Sequence, residues 1–143
     1  MRTLASCAGG DGNLLLNVGP MPSGEIEPRQ VARLREIGGW LEQNGDGVYG
    51  TGGGPFRPGE WGASTRRGRR VFLHVFEVDG DGWLHLPPLA RKVEGARVLG
   101  GDEAEWRQGR DGLHVCVPAG DRSSAVPVVA LDLDGPTATL AAV

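Results

Sequence analysis

The feature that most constrains this chain is a short apolar run near its start. Asn13-Leu14-Leu15-Leu16-Asn17-Val18 carries its apolar side chains without alternation and stops at Gly19-Pro20. An alternating strand can leave one face in water, but a strand without alternation must be covered on both, as in a parallel sheet flanked by helices. A helix follows. Pro28 suits a first helical turn, where its missing N–H is unbonded in any case. Val31, Leu34, Ile37, Trp40 and Leu41 recur at helical spacing, Arg29, Arg33, Glu36 and Gln43 fall on the opposite face, and Asn44-Gly45 supplies a stop. These residues read as one βα unit. A parallel strand needs parallel neighbours, and a parallel barrel takes roughly 250 residues, whereas this chain has 143. The expectation is that the chain is the end of something longer.

Past residue 60 the period changes. Val71–Phe76, Trp83–Leu86, Arg97–Leu99, Leu113–Val117 and Val128–Leu133 are short strand candidates, separated by Asp79-Gly80-Asp81-Gly82, Gly100-Gly101-Asp102, Gly109-Arg110-Asp111-Gly112 and Gly120-Asp121. Asp-Gly turns at such intervals mark an antiparallel sandwich. Alternation turns Leu84, Leu86, Leu113, Val115 and Val117 toward a core and His85, His114 and Cys116 away from it. The 71–76 run is apolar on both faces, which makes it a central strand, one packed against another domain. The expected class is mostly β: an antiparallel β-sandwich preceded by the last βα unit of a (β/α)8-type barrel. The expected divisions are a barrel piece over residues 1–50, a linker over 51–60 with little regular structure, and the sandwich over 61–143.

Composition narrows the function. Twenty-five Gly and ten Pro come without a collagen period, so they punctuate short elements. Fifteen Lys and Arg against eighteen Asp and Glu leave a net charge of -3, which argues against a nucleic-acid or acidic-membrane partner. No apolar run reaches the roughly 20 residues of a membrane helix. Leu4-Ala5-Ser6-Cys7 has the form of a lipoprotein cleavage box but lacks the apolar region of about 7 to 15 residues that precedes one. Cys7 and Cys116 are too far apart in sequence to suggest a metal pair or a disulfide framework.

Residues with chemical potential mostly have structural explanations. Glu25 and Glu27 precede Pro28, where negative charge faces a helix N-terminus. Asp79 with Asp81, and Asp132 with Asp134, read as turn residues. His74, His85 and His114 would share a metal only if their strands converged, and alternation does not bring all three together. No metal and no cofactor is expected. Arg66-Arg67-Gly68-Arg69-Arg70 reads as a solvated hairpin tip rather than a nucleic-acid patch. Trp40 belongs to the helix stripe, whereas Trp61, Trp83 and Trp106 are isolated and one could serve as a sugar platform.

The block Gly9-Gly10-Asp11-Gly12-Asn13-Leu14-Leu15-Leu16-Asn17-Val18-Gly19-Pro20, then Gly24-Glu25-Ile26, the helix from Val31 to Leu41, Asn44-Gly45 and Val48-Tyr49-Gly50-Thr51 resembles the end of the catalytic barrel of the α-L-fucosidases, glycoside hydrolase family 29. The resemblance continues through Gly53-Gly54-Pro55-Phe56, Trp61-Gly62 and Val71–Val75, which are similar to the entry into that family's C-terminal β-sandwich; past about residue 78 only the strand rhythm matches. It implies retaining hydrolysis of terminal α-L-fucosyl linkages, with an Asp nucleophile and a second carboxylic acid about 5 Å apart. The segments that supply those acids and the fucose contacts precede the matching strand in the family, so no catalytic residue is carried over. The chain by itself is expected to be inactive, a supporting part whose partner is a fucosylated glycan bound through the rest of the barrel. Asn17, at the C-terminal end of the barrel strand where such barrels place substrate, is the one substrate-binding candidate. The resemblance also implies an extracellular or periplasmic location. The alternative function is a carbohydrate-binding or interaction sandwich.

Overall fold

A computed structural model describes residues 1–143, the side chain of Ser123 excepted. In chain order the helices are α1 (Arg2–Gly9) and α2 (Pro28–Asn44), and the strands are β1 (Gly52–Gly53), β2 (Gly62–Arg67), β3 (Arg70–Val75), β4 (Trp83–Leu86), β5 (Val93–Val98), β6 (Glu105–Gln108), β7 (Leu113–Cys116) and β8 (Val128–Leu133). A five-stranded sheet has the order β1-β2-β3-β8-β5 and a three-stranded sheet the order β4-β7-β6. Neighbouring strands in both sheets run antiparallel. The mostly β class follows the sequence expectation.

The core lies between the sheets. Val71, Leu73 and Val75 of β3 and Val129, Leu131 and Leu133 of β8 meet Leu84 and Leu86 of β4 and Leu113 and Val115 of β7. Period-2 alternation places these side chains on one face of each strand. The second apolar face of β3 is covered from within the same chain: Phe72, Val128 and Ala130 pack with Trp40 of α2, and Met1 and Leu4 lie against the same cluster. Trp40 closes this layer by donating its Nε1–H to the Val126 carbonyl at 2.7 Å.

Three elements have no apolar period to announce them. β2 is buried through small and polar side chains; Ser64 Oγ accepts from the Phe56 N–H at 2.9 Å and donates to its carbonyl at 2.7 Å. β6 carries Glu105, Arg107 and Gln108 around a half-buried Trp106. α1 lies on β2, and a Cβ at Gly9 would stand 2.9 Å from Ala63 Cβ, so this helix approaches its strand as closely as glycine allows. The expected linker is also partly regular, because Gly52 and Gly53 pair with Arg66 and Thr65.

Two expectations are corrected. Asn13–Val18 is not a strand: it runs without ladder pairing to the isolated Pro20–Ile26 bridge, and Leu15 is 92% exposed. The physical reason is the missing parallel neighbour, since every strand the chain offers is committed to an antiparallel ladder. Asp132 is not a turn residue but lies within β8, where it pairs with Arg70 of β3 at 2.6 Å.

Candidate functional site

The longest apolar surface left open is at the start of the chain. Leu14, Leu15 and Leu16 are exposed, and a groove runs between Leu16–Gly19 and the N-terminal half of α2, lined by Glu27, Gln30, Arg33 and Leu34. The apolar stripe of α2 is used unequally. Trp40 is buried and Leu41 half-buried against the sheet, whereas Leu34 remains 37% exposed. Gln30 fixes the groove's floor by accepting the Gly19 N–H on Oε1 at 3.0 Å.

Asn17 lines this groove with an exposed side chain. It makes no hydrogen bond among the described residues, so nothing within the chain explains its amide. The charged decoys nearby behave as their positions imply: Glu27 occupies the N-cap of α2 and pairs with Arg29, and Glu25 bonds Ser23. At the hairpin tip, Gly68 has φ +61 and the arginines tie down neighbours. Arg66 donates to the Thr137 and Leu140 carbonyls, and Arg67 reaches Asp46.

The histidines divide between opposite outer faces of the sandwich. His74 on β3 is sealed beneath α2, its ring 6.2 Å from that of Trp40, and its Nε2 lies 3.1 Å from both Thr65 Oγ1 and the Gly47 carbonyl. Nδ1 has no partner among the described residues. Burial pushes the imidazole down to about 4, against a small opposing effect of the Gly47 carbonyl. His85 and His114, on β4 and β7, stand directly opposite each other in register with Nδ1 atoms 2.8 Å apart. Alternation foretold their outward orientation; their pairing depended on a register that sequence spacing alone did not define.

The tryptophans are engaged. Trp40 and Trp106 serve the two cores, Trp61 meets Phe56 edge-on at 6.3 Å, and the Arg107 guanidinium lies 4.6 Å over Trp83. Among the described residues no helix is long and apolar enough to cross a membrane.

The fold is thus an antiparallel sandwich bearing an unpaired apolar segment and a helix with a half-covered apolar stripe. A family model described as Alpha-L-fucosidase matches residues 1–46. An α-L-fucosidase of Dictyostelium discoideum is 34% identical over 122 residues, 81% of this chain and 24% of its own length. α-L-Fucosidase isoenzyme 1 from Paenibacillus thiaminolyticus superimposes with a TM-score of 0.81 at 33% identity, covering 93% of this chain and 33% of that one. A family-29 α-L-fucosidase from Bacteroides thetaiotaomicron, trapped as a covalent intermediate, gives 0.82 at 25% identity, covering 94% and 31%. The family model, the curated relative and the solved structures all point to a fragment of a glycoside hydrolase family 29 α-L-fucosidase, and the chain spans about a quarter of the length of the curated relative.

Proposed function

We propose that this chain is the C-terminal part of a retaining α-L-fucosidase, in which residues 1–50 complete a catalytic barrel, 51–60 connect, and 61–143 form a supporting sandwich. The observation that carries this reading is the uncovered apolar surface of Leu14–Leu16 and the first half of α2, which falls inside the stretch matched by the family model. An apolar strand-length segment beside a helix is what a parallel barrel buries on both sides. The covalent intermediate trapped in the Bacteroides relative supports the retaining route, in which one carboxylate attacks the anomeric carbon and a second acid protonates the leaving oxygen, then activates water.

In this reading the nucleophile and the acid come from barrel segments outside these residues, and the chain alone does not hydrolyse fucosides. The substrate class is a terminal α-L-fucosyl glycan, and the location is outside the cytoplasm. Asn17 faces the substrate side of the completed barrel. Incubating the purified 143-residue chain with an aryl α-L-fucoside tests the assignment: no aryl alcohol should be released, and steady release would overturn it. In a full-length enzyme carrying this segment, Asn17→Ala should lower kcat/KM about tenfold or more at unchanged Tm. Unchanged turnover with a lowered Tm would assign Asn17 a structural role. The alternative of a sugar-binding sandwich loses support from the tryptophans, because Arg107 covers Trp83 and the others serve packing.

A further inference from the structure

The outer face of the three-stranded sheet carries a group that the fucosidase reading leaves unused. His85 and His114 are each held from behind by a carboxylate: His85 Nε2 lies 3.0 Å from Asp79 Oδ2, and His114 Nε2 lies 3.4 Å from Asp111 Oδ2. A carboxylate only accepts hydrogen bonds, so each Nε2 carries the donated proton. In the neutral rings both Nδ1 atoms then present lone pairs, and these face one another across 2.8 Å. Two acceptors at that distance repel unless a cation lies between them.

We propose that His85 and His114 form a binding site for a divalent late first-row transition-metal ion, ligated by their two Nδ1 atoms. Two imidazole nitrogens each about 2.0 Å from a metal, in adjacent positions of a square-planar ion, stand about 2.8 Å apart. The carboxylate behind each ring is the usual outer partner of a metal-bound histidine, fixing tautomer and orientation. Register pairing on adjacent strands holds the two rings on one face, their centroids 4.9 Å apart. The nearest cation in the ladder, Arg107 opposite His114, is turned over Trp83 and paired with Glu105 at 3.0 Å. Among the described residues no group of three or more His, Cys, Asp or Glu is placed to hold a metal, so water completes the coordination.

Calorimetric titration of the full chain with Ni2+ tests the site. One saturable equivalent should bind, binding should be lost in His85→Gln/His114→Gln, and Asp79→Asn should weaken it about tenfold through the ring it orients. Cys116→Ser, on the same face as His114, should leave it unchanged. Zn2+ added to the wild-type chain while the histidine ring resonances are followed by NMR gives a reading independent of any variant: His85 and His114 should shift together and His74 should stay in place. Equal affinity in the double-histidine variant, dependence on Cys116, or rings that do not respond would overturn the proposal and leave a pair that shares only a proton. The site lies on the sandwich, so this outcome is independent of the fucosidase assay.

Discussion

At the scale of single residues, His74 converts burial into a pH dependence. Its folded state resists protonation down to about 4, whereas an exposed histidine titrates at 6.5. The unfolded chain therefore binds the proton first, and stability is full above about pH 6.5 and falls as pH drops toward about 4, by roughly 2 kcal/mol at about pH 5. Urea midpoints at the two ends of that window should separate for the wild-type chain and nearly coincide for His74→Gln; parallel curves would remove His74 as the source. Two glycines show how position sets the sign of one substitution. Gly62 has φ +146, and a Cβ there would lie 2.0 Å from the His74 carbonyl oxygen, so Gly62→Ala should cost about 3 kcal/mol or more. Gly39 sits in α2 with nothing within 4 Å of a built Cβ, so Gly39→Ala should gain about 0.5 to 1 kcal/mol, both variants being read by urea unfolding at neutral pH.

At the scale of elements, legibility followed the source of each element's stability. β4 and β8 were readable to the residue, because apolar alternation or a doubly buried run leaves a pattern between Asp-Gly turns. α2 was readable from its stripe and Pro28. β2 and β6 were not, because Gly-Ala-Ser-Thr-Arg-Arg and Glu-Trp-Arg-Gln join sheets through backbone pairing and small-residue fit rather than periodicity. α1 is eight residues long and has no side-chain cap, so its helicity depends on the sheet beneath it. For the candidate site the sequence offers only a nomination, Asn17 at the end of the motif strand, whereas the groove that Asn17 lines beside Gln30 needed the fold. For α2 the unequal burial makes a prediction. Trp40→Phe removes the hydrogen bond to the Val126 carbonyl and should cost about 1 to 3 kcal/mol. Leu34→Gln, at the uncovered end, should change the stability of this chain by less than about 0.5 kcal/mol. Equal losses from both would mean that α2 is held uniformly along its length.

At the scale of the molecule, order and burial are distributed unevenly, and the difference should be measurable. β3 and β8 sit between other strands and between two apolar layers, so their amides should open only with the whole fold. Among the described residues, 13–19 have no ladder partner and one side-chain hydrogen bond, donated by the Gly19 N–H to Gln30 Oε1, so their amides should exchange almost as fast as those of an unstructured peptide. In a full-length enzyme of the proposed kind, the same segment would gain parallel neighbours on both sides, and Leu14–Leu16 would pass from solvent into a barrel wall. Hydrogen exchange read by mass spectrometry on peptides covering 13–19, in the 143-residue chain and in the full-length protein, should then differ by several orders of magnitude, while peptides from β3 and β8 stay protected in both. The same surface makes the isolated chain prone to self-association, so Leu15→Gln should raise its solubility without lowering its Tm. If residues 13–19 exchange equally fast in both proteins, the segment is not a barrel strand, and the apolar surface that carries the functional proposal has another occupant.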